Sequence, residues 1–272
     1  MRAPNQGVKV ELLMGGEREA GVGYVALSTE SPSSHTLERK PAPMHRILAA
    51  LCAVLLTLTI APPAVAVEPA PAPLVLAGVH AERDALAASG LAPGLVYRSA
   101  RLCKATAADR AELASLLAGG LILDLRGAGK ARSCKDPVLP GVTRTRYGMT
   151  GTSNTATLAT RASDRRSLAA VLRRISTATG PVLIHCTHGR DRTGWTVTVL
   201  LSLLGADTAT VRAEYLRTSG AHVYKLNRGL AKVAKRFGSG PAGMARYATA
   251  SVPRGGLGLS PDVVATLRAR LG

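Results

Sequence analysis

Residues 180–205 read GPVLIHCTHGRDRTGWTVTVLLSLLG, and no other run limits the fold so strongly. Pro181 to Cys186 is a short apolar stretch behind Gly180, with the length and composition of a buried strand. Gly189 allows a tight turn. From Arg192 to Gly205 the residues are apolar nearly all round, as in a helix at the centre of a domain. Strand, turn and helix in so short a span form the repeating unit of an α/β domain.

The loop between strand and helix carries unusual chemistry. A strand–loop–helix turn points successive backbone N–H groups inward, and the helix N-terminus adds partial positive charge. Together they cradle a tetrahedral oxyanion such as phosphate. Arg192 follows Cys186 by six positions, where its planar guanidinium can bind two phosphate oxygens at once. The same field acts on the thiol. A cysteine beside arginine at a helix N-terminus drops from about 8.5 into the range of roughly 3.5–7.5 and becomes a nucleophile at neutral pH. Thr193 can donate a hydrogen bond to the sulfur when it leaves, and His185 orients the loop. Thr187, His188, Gly189 and Arg190 form the loop wall that meets the phosphate.

Elsewhere the pattern alternates. Thr106 to Ala118 has a helical period, with Thr106 as cap and Gly119-Gly120 as stop. LILDLRG (121–127) reads as a strand ending in Asp124 and Arg126. Val142 to Met149 reads as another strand, Ser163 to Thr179 as a basic amphipathic helix, Asp207 to Thr218 as a helix capped by Asp207, and 222–237 as a Lys/Arg-rich helix. SPDVVATLRARL closes the chain as a helix with Ser260 at its cap and Pro261 in its first turn. This predicts a three-layer α/β sandwich with a central, largely parallel sheet flanked by helices.

The N-terminus stands apart. MHRILAALCAVLLTLTIAPPAVAVEP starts at Met44 with a short basic region, continues through an uncharged apolar run from Ile47 to Ile60, and offers Ala64-Val65-Ala66 as a small-x-small cleavage pattern. We therefore expect 44–66 to be a signal peptide, 1–43 to be a gene-model extension ahead of the true start, 67–77 to be a Pro/Ala linker, and 78–272 to be the catalytic domain of a secreted protein; the rival is a cytosolic tail, 1–43, on an uncleaved anchor. In an oxidising compartment the three remaining cysteines suggest one pair and one reactive thiol. If Cys186 is the reactive one, Cys103 and Cys134 are the pair.

The charge balance, 35 Lys+Arg against 17 Asp+Glu, favours anionic partners. Nucleic acid is a poor match, because aromatic residues are only 3% of the chain and offer no stacking platform. The basic helix 222–237 suits solvent or an anionic membrane surface.

His-Cys-x-x-Gly-basic-Asp-Arg-Thr-Gly resembles the signature of the bacterial secreted tyrosine and dual-specificity phosphatases, in which mycobacterial and Listeria enzymes with lipid phosphatase activity fall, among the cysteine-dependent Cys-x5-Arg phosphatases. LVYRSARL (95–102), LILDLRG, AEYLRTS (213–219) and the last helix are similar to other segments of that family in the same order, from about Gly78 to the end. The resemblance implies a phosphocysteine intermediate formed on Cys186, phosphate held by Arg192, help from Thr193, and no metal or other cofactor. It implies a phosphorylated protein or a phosphoinositide as substrate.

The leaving oxygen needs a proton donor. Residues 141–163, where larger tyrosine phosphatases carry an acid on a mobile loop, contain none. Asp191 and Asp124 are the candidates; the resemblance favours Asp191, with Asp124 contributing to the substrate site or else positioning Arg192 or its own neighbours. Arg190 stands where the family usually has Lys, the residue linked to inositide hydrolysis. An inositol-polyphosphate hydrolase and an inactive phosphate-binding descendant are the alternatives.

Overall fold

The computed structural model describes residues 74–151 and 154–272. The expected extension, the signal peptide and residues 67–73 of the expected linker lie outside the described residues. Five strands form one sheet in the order β1-β2-β5-β3-β4, with β1 at Arg83–Asp84, β2 at Val96–Ser99, β3 at Leu121–Asp124, β4 at Thr143–Arg146 and β5 at Val182–His185. Only β1 runs antiparallel to its neighbour; β2, β5, β3 and β4 are parallel.

The central strands are buried on both faces, and alternation sorts their side chains. Val96, Leu121, Leu123, Val182 and Ile184 enter one apolar core. Tyr97, Ile122 and Leu183 enter the other. The second core is closed by Leu113 and Leu117, at and just beyond helix α1 (Ala107–Leu116), and by Leu74, Leu76 and Val79. Leu74 to Ala77 are therefore part of the domain rather than linker: the Ala77 N–H donates to Asp109 at 2.8 Å, the residue that also completes the capping box of α1 with Thr106.

The first core lies under a thicker helical layer: α3 (Thr155–Thr160), α4 (Ala162–Ser176), α5 (Asp191–Leu203), α6 (Thr208–Leu216), α7 (Val223–Phe237), α8 (Gly240–Thr249) and α9 (Pro261–Leu271). Every residue of α5 is buried, which is why its sequence lacks a polar face. A six-residue helix, α2 (Ala128–Ser133), follows β3 and buries none of its residues.

Sheet and helices form the expected three layers. Five elements lack a sequence signal. The pair β1–β2 shows no strand pattern, because Arg83 and Arg98 interrupt an apolar run, and tertiary ion pairs with Glu214 make their burial tolerable. Helix α3 falls in a Thr/Ala/Ser-rich stretch read as loop, and α2 and α8 are too short or too Gly-rich to show a period. No helix among the described residues is long and apolar enough to cross a membrane.

Candidate active site

Strand register assembles the site. Ser99, His185 and Asp124 are direct neighbours across β2, β5 and β3, so the loop 186–190 leaves the sheet at the carboxyl end of its middle strand. Ligands of open parallel sheets gather at that end. The backbone returns as α5 at Asp191.

Gly189 makes the turn with φ +68°, and a Cβ there would lie 2.9 Å from the Ala81 side chain and 3.0 Å from the Ser99 carbonyl. Conformation and space both require glycine. Gly194 lets α5 approach the Tyr215 ring, which an added Cβ would meet at 2.6 Å.

Cys186 is 2% exposed. Burial alone would raise its pKa, but the Arg192 charge, the neighbouring Thr193 hydroxyl and the backbone N–H groups of Thr193 and His188 outweigh burial and hold the thiol below its ordinary value. Arg192 is itself buried. It donates to the Leu125 carbonyl at 3.3 Å and to Thr187 Oγ1 at 3.0 Å, so its guanidinium spans the loop. The N–H groups of Thr187, Gly189 and Arg190 have no protein acceptor among the described residues. A buried thiolate, a guanidinium fork and free amides in one turn can bind a tetrahedral dianion and attack it.

Two flanks hold the loop. On the β2 side, Arg98 is fully buried and donates to the Gly189 carbonyl. Its other nitrogen pairs with Glu214 at 2.6 Å, and Arg83 pairs with the same carboxylate at 3.1 Å and with Thr218 at 2.9 Å. Desolvation lowers the Arg98 pKa to about 10 despite Glu214, which still leaves it charged at neutral pH. On the β3 side, Asp136 lies 3.2 Å from His185 Nε2, 2.5 Å from Arg126 and 2.9 Å from Arg144. Burial opposes its charge, but these three partners prevail and hold the carboxyl at about 2.

Asp124 must be corrected as a candidate. It is fully buried, its oxygens accept from Arg126 at 2.8 and 3.0 Å and from Arg144 at 2.6 Å, and its pKa is lowered: desolvation raises it, and Arg126 and His185 outweigh that. An ionised carboxylate so enclosed has no proton to give and no open face for substrate; it positions Arg126. Asp124, Asp136 and His185 bring donor atoms within 4.8 Å of one another, but two guanidiniums already neutralise the acids, so the group is an ion-pair network.

Asp191 is at the first turn of α5, mostly buried, and accepts from Lys225 Nζ of α7 at 3.3 Å. Its other oxygen has no partner among the described residues. His188 and Arg190 sit beside a cleft of about 930 Å³ that also takes in His80, Arg101, Lys104 and Arg217. Desolvation, then the charges of Arg190, Arg101 and Arg192, lower the His188 pKa, so His188 adds no charge at neutral pH.

Four supporting residues escaped the sequence reading. Glu214 lies in AEYLRTS and Asp136 two residues after Cys134, but neither position shows which loop it will face. Arg98 sits in LVYRSARL, where its position suits a pocket, solvent or a structural role alike, and Lys225 belongs to a helix whose charge suits solvent or an anionic membrane. The pairing of Cys103 with Cys134 is present, with Cα atoms 5.5 Å apart, within the usual range for a disulfide. Cys186 is the one free cysteine among the described residues.

A parallel α/β sheet that ends in a buried Cys-x5-Arg turn defines the cysteine-dependent phosphatase class. A family model described as the tyrosine phosphatase family matches residues 82–251, and the chain belongs to that family. Among solved structures it is similar to the core catalytic domain of the PP-IP phosphatase SIW14 from S. cerevisiae, at 19% identity over 58% of this chain and 84% of that one, with a TM-score of 0.38. It is also similar to P. aeruginosa TpbA, at 21% identity over 56% of this chain and 84% of that one, with a TM-score of 0.40. No curated protein matches the chain.

Proposed function

We propose that the protein hydrolyses phosphate monoesters, phosphotyrosine in proteins first among them, through a phosphocysteine intermediate on Cys186. The observation that carries this reading is the loop itself: a buried cysteine followed six positions on by a buried arginine whose guanidinium reaches the Leu125 carbonyl and Thr187 Oγ1, in a turn that glycine at 189 alone allows. In the first step the Cys186 thiolate attacks phosphorus and the ester oxygen leaves. Arg192 and the loop amides of Thr187 to Arg192 stabilise the equatorial oxygens. Asp191 protonates the leaving oxygen, and Lys225 holds Asp191 in place. In the second step water attacks phosphorus, Asp191 takes its proton, and Thr193 supports the departing sulfur. Thr187, His188, Gly189 and Arg190 line the site; no metal or cofactor takes part.

A second reading has its own support. Arg101, Lys104, Arg190 and Arg217 around one cleft suit a substrate with further phosphates, such as a phosphoinositide or an inositol polyphosphate. The arrangement of the N-terminus supports a secreted enzyme of the bacterial family, with signal peptide 44–66, and the basic face of α7 suits an anionic membrane surface.

The test measures phosphate release from a phosphotyrosine peptide, a phosphoserine peptide, a phosphoinositide and inositol hexakisphosphate, with Cys186→Ser as control. Release that depends on Cys186 and is fastest with phosphotyrosine supports the first reading. A preference for the inositides replaces it with the second. Phosphate binding without release from any of the four makes the loop a receptor.

A further inference from the structure

The disulfide joins the two flanks of the phosphate loop. On one side, the Arg101 N–H, two residues before Cys103, donates to the Thr187 carbonyl at 3.3 Å. On the other, Cys134 ends α2 and its carbonyl accepts from Arg126 at 2.8 Å. Two residues on, Asp136 holds Arg126, Arg144 and His185. The Leu102 N–H reaches the same Asp136 carboxylate at 3.4 Å. The bond therefore closes a ring around the loop: β2 and its exit, the loop itself, β3, α2 and back through the sulfurs.

The α2 arm of this ring is held by the core only at its ends, by Leu125 before it and by Leu139 after it. From Gly127 to Val138 no residue is buried as a whole; only the Asp136 carboxylate is enclosed. Val138 is 94% exposed. With little hydrophobic surface to hold it, the segment depends on its ion pairs and on the disulfide. Cys103 and Cys134 are each only partly covered, so a reductant can reach them.

We propose that the Cys103–Cys134 disulfide is a redox control on the phosphate loop, closed in the active protein and opened by a dithiol to release Asp136 and slacken the loop. The proposal rests on Cys186 being the nucleophile. Opening takes two electrons and two protons from an external dithiol: its thiolate attacks one sulfur, the Cys103–Cys134 bond breaks, two thiols form, and the dithiol leaves as its own disulfide. Release of Asp136 then removes a fixed partner of His185 directly behind Cys186, and an error of this kind in a reacting group costs about 100-fold per ångström.

The test starts from the oxidised protein. Dithiothreitol is titrated in, the 103–134 bond is followed by alkylation and mass spectrometry, and turnover of p-nitrophenyl phosphate is expressed per free Cys186 thiol. We expect turnover to fall about 10-fold or more in step with loss of the bond. Cys103→Ala/Cys134→Ala, and Asp136→Asn with the bond intact, should both lower kcat and raise the pH midpoint for alkylation of Cys186 by iodoacetamide. Unchanged turnover and an unchanged midpoint overturn the proposal, even if melting temperature falls, because the bond is then a brace alone. If the double variant does not fold, the titration of the native protein decides. If the oxidised protein shows no turnover dependent on Cys186, the catalytic reading fails, and the alkylation midpoint still tests the clamp.

Discussion

The two flanks of the phosphate loop solve one mechanical problem in different ways. The β2 flank seats its ions deep: Arg98 is fully buried and Glu214 and Arg83 nearly so, between sheet and α6. The β3 flank keeps its carboxylates enclosed, but their partner Arg144 is partly open to solvent, and the segment that carries Asp136 buries no whole residue between Gly127 and Val138, meeting the core only at Leu139. The first flank is set by the core around it and cannot move without unfolding part of the domain. The second is set by ion pairs and one covalent bond, and can loosen alone.

The largest effect should follow from Glu214→Ala. It leaves two guanidiniums buried without a counter-charge, and losses of about 3–5 kcal/mol are usual for such a change. Urea unfolding should show it, and a loss below 1 kcal/mol would mean that water reaches this flank. Gly189→Ala comes next. The new Cβ meets Ala81 and Ser99 on the β2 side in a left-handed conformation, at a cost of about 1–3 kcal/mol, and turnover should fall with it.

Asp136→Asn should behave differently, with a stability loss of about 1–3 kcal/mol and a larger effect on turnover than on unfolding. Its pH signature follows from the sign of the shift. The Asp136 carboxyl is held at about 2 in the folded protein, below its unfolded value, so its contribution is complete above about pH 4 and is lost as pH falls toward 2. Acid unfolding followed by circular dichroism should be less steep between those values in Asp136→Asn; an unchanged slope would place the acid sensitivity on other groups. The smallest effect should come from Lys225→Ala. Its pair with Asp191 is partly exposed, so stability should change by less than about 1 kcal/mol, whereas the pH profile of turnover should shift if Lys225 holds the acid. Equal profiles would detach α7 from the reaction.

Much of the site was legible because its chemistry is local. Cys186, Gly189, Arg192 and Thr193 lie within one turn, and spacing alone places thiol, fork and amides together. Capping of α1 by Thr106 and the buried character of α5 were legible for the same reason. Asp124 shows the limit. At a strand end beside the loop it has the look of a group open to substrate; Arg126, two residues on, folds back onto it, and Arg144 from the neighbouring strand completes the enclosure, a contact that no local pattern announces. Lys225 has the pattern of solvated charge because the helical period says which residues share a face, not which side chain the next element presents to it.

What the sequence by itself determined is the loop and the alternation that makes a parallel α/β sheet, since both depend on residues a few positions apart. What only the tertiary structure decided is how that loop is held: Glu214 reaching Arg98 across 116 positions, Asp136 meeting His185, and the disulfide joining both sides. Such pairs depend on strand order and crossover geometry, and a buried charge carries no mark in the sequence of the partner that makes its burial tolerable.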